Sequence, residues 1–183
     1  LDVGVIGLDV LSDMLQDSDG HLVISGNLRT DQPDNGYVFR YDPVLRKTLW
    51  AKTFGPGQTM ILGVLENGPG GHFFVYANPH FPGGDDAEFF QLDRNTGNMV
   101  PGTAWRYHLG TSEDFHSMVL HNGFLYAAGR FTDGMGSLAF GNMRHALLKI
   151  DPATGTPDWV HLSHIDPMLP ARLYGRDLII DDG

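Results

Sequence analysis

The stretch Asp151-Pro152-Ala153-Thr154-Gly155-Thr156-Pro157-Asp158-Trp159 decides how this chain is read. An aspartate at the head of a turn accepts the N–H groups of the residues that follow it, and a glycine four residues on supplies a positive φ. Both precede a tryptophan. The chain has three tryptophans, and the other two, Trp50 and Trp105, stand 55 residues apart, with 54 more to Trp159. Each follows an aspartate: Trp50 follows Asp42 at the spacing at which Trp159 follows Asp151, and Trp105 follows Asp93 with four more residues between.

Working outward, each aspartate closes a short run rich in aromatic and β-branched residues: 37–41, 87–92 and 146–150. A second such run lies upstream in each case, at 20–26, 71–77 and 122–129, and a third before that, at 13–16, 60–64 and 117–120. Each tryptophan opens a fourth, at 50–54, 105–109 and 159–162. These runs are bounded by turn formers, as strands are. No segment carries a sustained apolar pattern at helical period.

Four short strands repeating every 50 to 55 residues predict an all-β chain, a β-propeller of four-stranded antiparallel blades. A lone four-stranded sheet cannot bury both faces, whereas stacked blades cover one another. A β-sandwich with evenly spaced strands is the competing reading; it leaves the equal placement of the three tryptophans unexplained. The expected blades are approximately 12–57, 58–112 and 113–166, with 167–183 aligned to the start of a fourth. Propellers close with four or more blades. A chain of 183 residues beginning at Leu1 is therefore expected to be part of one propeller domain, about three and a half blades, with the remainder of the propeller as its first partner.

The pattern D-x-x-T-G-x-x-x-W in the third unit closely resembles the tryptophan-docking motif of quinoprotein-like β-propellers, built from PQQ-type repeats. The structural motif residues are Asp42 and Trp50 in the first unit, Asp93, Thr96, Gly97 and Trp105 in the second, and Asp151, Thr154, Gly155 and Trp159 in the third. The repeats are degenerate. The first has Leu45-Arg46 in place of Thr-Gly, and the second inserts four residues before Trp105. Where the family usually has Ala two residues before the Asp, this chain has Arg40, Gln91 and Lys149. The segments 128–131 and 138–142 also resemble bacterial propeller repeats with one lengthened hairpin. The resemblance implies that each tryptophan docks between neighbouring blades. On that basis Trp159→Ala is expected to cost roughly 3–5 kcal/mol.

The family ranges from PQQ-dependent dehydrogenases to scaffolds, so fold alone does not choose. A PQQ enzyme needs a calcium site, a catalytic Asp, basic residues for the quinone carboxylates and a stacking aromatic; no cluster here is assignable to them. No catalytic residue is expected. Calcium candidates are Asp17 and Asp19 in one acidic turn and Asp31 and Asp34 in another. Neither is an EF-hand, since the twelfth positions are Leu28 and Asp42 where that loop needs a Glu. Both read primarily as β-turns, as does Gly83-Gly84-Asp85-Asp86. The histidine pairs His161/His164 and His116/His121 are spaced to face opposite sides of a strand, which disfavours a shared metal. His80 stands apart from them.

The chain has no cysteine and a formal net charge of −10. That excludes disulfides and thiolate chemistry, and an acidic surface disfavours nucleic acid. No apolar run is long enough to span a bilayer. The expected function is a non-catalytic scaffold or binding module, held in an extracellular, cell-surface or periplasmic assembly with other proteins. Loops 77–86 and 130–142 would form its contact surface. A quinoprotein dehydrogenase fragment and a carbohydrate-binding propeller are the alternatives. No cofactor is expected, calcium is an option, and PQQ enters only with the dehydrogenase.

Overall fold

The computed structural model describes residues 8–29, 35–55, 59–81, 84–107, 112–132, 143–162 and Leu178. All regular structure in them is β. The first unit is an antiparallel meander of β1 (Leu8–Gln16), β2 (Leu22–Arg29), β3 (Asn35–Asp42) and β4 (Lys47–Phe54). The second runs β5 (Thr59–Glu66), β6 (Phe73–Phe81), β8 (Ala87–Leu92) and β9 (Trp105–Tyr107). Its β6 ends in a small hairpin with β7 (Gly84–Asp85). The third is β10 (Ser112–His121), β11 (Phe124–Thr132), β12 (Met143–Ile150) and β13 (Pro157–Leu162). A single parallel pair, Asn35 with Thr59, links the first two units. The fold is thus all-β with antiparallel four-stranded blades. The expected start of a fourth, at 167–183, lies outside the described residues apart from Leu178.

The core lies between the blades. In the second blade Phe73, Val75, Ala77, Phe90 and Leu92 bury themselves against Val23, Val38 and Trp50 of the first. The alternate residues Phe74, Tyr76 and Phe89 bury themselves against Phe115, Leu125, Ala127, Leu148 and Ile150 of the third. Strands covered on both faces read as continuous apolar runs, which is how Phe73-Phe74-Val75-Tyr76-Ala77 reads. The first strands β1, β5 and β10 are neighbours and form the inner side of the fan.

Each inner strand carries one β-bulge at the same place. The extra residue is Ser12 between Leu11 and Asp13, Leu62 between Ile61 and Gly63, and His116 between Phe115 and Ser117. Opposite stand the small residues Gly26, Ala77 and Gly129. A Cβ on Gly129 would lie 2.2 Å from the Asp114 carbonyl oxygen, so the bulge requires that close approach. The bulge also breaks the alternation in 8–13, and β1 begins at Leu8, ahead of the expected unit boundary. Asn122 and Gly123, expected inside a strand, form the hairpin turn instead. Their φ values of 49° and 79° fit a type I′ turn.

Candidate functional site at the blade joints

The three Asp-headed turns share one geometry. The Asp42 carboxylate accepts the N–H groups of Val44 and Leu45 at 2.8 and 2.9 Å. Asp93 accepts from Asn95 N, Thr96 N and the Thr96 hydroxyl at 2.8–3.1 Å. Asp151 accepts Ala153 N at 2.8 Å. Gly97 and Gly155 then take φ of 68° and 67°, and Arg46 takes 52° at the matching position of the first turn. The N–H bonds from Leu45 and Val44, with His21 nearby, hold Asp42 below the ordinary carboxylate range against a contrary push from burial. The Thr96 hydroxyl and N–H do the same for Asp93.

The second and third turns each receive the tryptophan of the blade before. The Trp50 ring lies on Gly97, so that a Cβ there would stand 2.5 Å from Trp50 Cε3, and its indole N–H donates to the Arg94 carbonyl at 2.9 Å. Trp105 lies on Gly155, where a Cβ would stand 1.8 Å from Cδ1. Two residues after Trp50 and after Trp105, a side chain reaches the same turn: Lys52 to Asn98 Oδ1 at 2.8 Å, and the Tyr107 hydroxyl to the Gly155 carbonyl. Burial pushes the Tyr107 phenol well above its ordinary value. Arg40 and Gln91, at the position where the family motif has Ala, reach the carbonyls of Arg94 and Pro152.

Trp159 departs from the expectation of a buried ring. Trp50 is 8% exposed, whereas Trp159 is 39% exposed and meets Tyr126 edge-on at 6.3 Å. The reason is geometric. A tryptophan here is buried by the next blade's turn, and among the described residues no turn glycine faces Trp159.

A charged cluster reinforces the first joint. Asp17, with a fully buried side chain, pairs with Arg40 Nε at 2.7 Å. Asp19 Oδ2 accepts Arg40 Nη2 and Arg94 Nη2, both at 2.7 Å. Arg94 also pairs with Glu66, whose carboxylate takes the Ser18 hydroxyl at 2.6 Å and the Ser18 N–H at 3.0 Å. Both guanidinium groups lie over the Phe73 ring, at 5.9 and 5.5 Å. Bonds from Arg94 and Arg40 hold Asp19 below the ordinary range. Burial pushes Glu66 up, but the Ser18 and Arg94 bonds outweigh it and leave Glu66 low. The acidic turn read as a calcium candidate therefore brings Asp17 and Asp19 together, with His21, so that one ligand atom from each lies within 4.8 Å of the others. Its carboxylates face two arginines, which supply the positive charge. Asp31 and Asp34 lie outside the described residues.

Two features escaped the sequence reading. Asn27 of β2 accepts Ile61 N at 2.8 Å and donates to Ile61 O at 3.0 Å, just ahead of the bulge in β5. Asn78 repeats this one blade later, accepting Phe115 N at 3.2 Å and donating to Asp114 at 3.1 Å. The shared offset of Gly26-Asn27 and Ala77-Asn78 was the available signal. Likewise the recurrent Gly-His of Gly20-His21 and Gly71-His72 sets each imidazole 3.6–3.8 Å from the aspartate of its own blade's turn, Asp42 or Asp93. His161 is exposed at the β13 edge, and His116 sits half-buried at its bulge.

No family model and no curated protein matches this chain. Among solved structures it is similar to cobalt-substituted Synechocystis ACO, a β-propeller carotenoid oxygenase, with a TM-score of 0.51 and 17% identity over 88% of this chain and 41% of that one. It is also similar to a D477G ACO/RPE65 chimera, with a TM-score of 0.49 and 16% identity over 84% of this chain and 38% of that one. The chain spans about two fifths of the length of these structures. At this identity the similarity to ACO is one of fold: an all-β chain that matches part of a β-propeller.

Proposed function

We propose that the chain is a non-catalytic β-propeller segment that works as a scaffold or binding module. The observation that carries this reading is the use made of its most concentrated ionisable groups. Asp17, Asp19, Arg40, Glu66 and Arg94 pair with one another across a blade joint. Catalytic carboxylates and bases work through displaced pKa values and open access to substrate. Here Asp19 is held ionised by Arg94 and Arg40, and Glu66 by Ser18 and Arg94, in bonds that also tie the blades together. The Trp-on-Gly joints are likewise building devices and prescribe no chemistry.

A quinoprotein reading rests on the D-x-x-T-G-x-x-x-W motif of the third unit alone. Calorimetric titration of the protein with pyrroloquinoline quinone and calcium separates the two. The scaffold reading expects no saturable binding at micromolar concentrations. Stoichiometric quinone binding, or steady turnover with an artificial electron acceptor, refutes it.

A further inference from the structure

We propose that the Asn122-Gly123 turn is a self-modification site, where Asn122 loses its amide to water and becomes aspartate or isoaspartate, with His121 giving the leaving nitrogen its proton. An asparagine followed by glycine is able to cyclise, because no side chain on the glycine hinders its nitrogen from reaching the amide carbon. The chain holds three such pairs, Asn35-Gly36, Asn67-Gly68 and Asn122-Gly123. The fold treats them differently.

Gly36 is buried in β3 between Asn27 and Phe54 of its two neighbouring strands, and a Cβ on it would meet Ile61 Cγ1 at 2.2 Å. Asn35 is itself paired with Leu28 and Thr59. That backbone is locked. The exposed turn at Asn67-Gly68 is knit by its own bonds. Gly68 N donates to the Glu66 carbonyl at 3.0 Å, Asn67 N to the His72 carbonyl at 2.8 Å, and Gly71 N to the Gly68 carbonyl at 3.0 Å. The third blade closes its matching hairpin more tightly: two residues stand between His121 and Phe124, against four between Asn67 and His72. Asn122 and Gly123 are both exposed, a Cβ on Gly123 would meet nothing within 4 Å, and among the described residues no acceptor takes the Gly123 N–H. Asn122 already sits in the left-handed region, and freeing it breaks only the last rung of one ladder.

The chemistry follows from one contact. Asn122 Nδ2 lies 2.7 Å from His121 Nε2. In the resting amide that nitrogen is a donor only. Once Gly123 N has bonded to Asn122 Cγ and given its proton to water, the former amide nitrogen is a basic amine on a tetrahedral carbon. The His121 imidazolium stands at the distance general acid catalysis requires. It donates its proton, the Cγ–Nδ2 bond breaks, and ammonia leaves. Water then opens the succinimide at either carbonyl, to aspartate or isoaspartate. One water is consumed, one ammonia is released, and no oxidant or reductant takes part. Each event adds a negative charge at the hairpin tip. Isoaspartate also lengthens the backbone of the two-residue turn that sets the register of β10 on β11.

Peptide mapping by mass spectrometry after incubation at neutral pH tests the proposal, with isoaspartate scored by a methyltransferase specific for it. In the folded 183-residue protein Asn122 is expected to convert at least about tenfold faster than Asn35 and Asn67, and in urea the three rates should converge to within about threefold. Equal rates in the folded protein overturn the site, and so does a preference for Asn122 that persists in urea, because the fold then does not select it. H121Q and H121F are each expected to slow Asn122 at least about fivefold and to leave Asn35 and Asn67 at their wild-type rates. A wild-type rate at Asn122 in these variants overturns the role of His121.

Discussion

Gly155→Ala tests the joint between the second and third blades, and Gly123→Ala supplies its control. Both glycines have positive φ, 67° and 79°. A Cβ at Gly123 meets nothing within 4 Å, whereas a Cβ at Gly155 would lie 1.8 Å from Trp105 Cδ1, 2.0 Å from Cγ and 2.2 Å from Nε1. The backbone cost is common to both. About 1–2 kcal/mol for a left-handed non-glycine residue, less about 0.4–1 kcal/mol gained by stiffening the unfolded chain, leaves about 1 kcal/mol. Only Gly155→Ala also evicts a ring. Non-bonded carbon atoms rest about 3.5–4.0 Å apart, so Trp105 must leave its seat. Full truncation of a buried tryptophan costs about 3–5 kcal/mol, and for this half-buried ring about half of that is at stake. The Tyr107 bond to the Gly155 carbonyl adds about 1 kcal/mol. Gly155→Ala should therefore cost about 3.5–4.5 kcal/mol in urea unfolding, against about 1 kcal/mol for Gly123→Ala. With Trp105→Ala as the second arm of a double-mutant cycle, the excess should vanish, because no ring remains to displace. The reasoning fails if the two glycine variants lie within about 0.5 kcal/mol of each other.

Two further outcomes follow from the first joint. Asn27→Ala leaves the buried Ile61 N–H and carbonyl without the amide that bridges them, at about 1–3 kcal/mol each; a urea midpoint unchanged from wild type would show that the Asn27 bridge contributes nothing. The acid response comes from Asp19, Asp42, Glu66 and Asp93, whose carboxyls are held below their ordinary values of 3.8 for Asp and 4.5 for Glu. A depressed carboxyl stabilises the fold fully above its unfolded value and loses that contribution as pH falls through its folded value. The thermal midpoint should stay level from pH 7 to 5 and fall below about pH 4.5; a midpoint that rises on acidification below 4.5 contradicts this sign.

The repeat was legible because the features that set it are local. An Asp accepting its own turn's N–H groups, a Gly at positive φ and a Trp at fixed spacing mark each blade with no tertiary information, and Leu45-Arg46 already marked the first turn as different. What the spacing could not tell is where each ring goes, since the receiving glycine belongs to the next blade, 47 or 50 residues on. That is why Trp159 read as buried and is not. The inner-strand bulges were invisible for a related reason: one extra residue shifts the alternation that strand reading relies on, and only the partner strand shows the slip. Asp17 and Asp19 read as calcium candidates because carboxylates two apart in a turn look alike whether their counter-charge is a metal or an arginine. Arg40, set in the otherwise apolar and aromatic run Tyr37-Val38-Phe39-Arg40-Tyr41, was the clue that the counter-charge was internal.

The central claim is that Trp50 and Trp105 each seal a joint by lying on the turn glycine of the following blade. Alanine substitution of the three tryptophans one at a time, read by urea unfolding, tests it most directly. The account predicts a loss of about 3–5 kcal/mol for Trp50→Ala, about 2–3 kcal/mol for the half-buried Trp105→Ala, and less than about 1 kcal/mol for Trp159→Ala in the 183-residue protein. Equal losses at all three positions, or a loss below about 1 kcal/mol at Trp50, would contradict it.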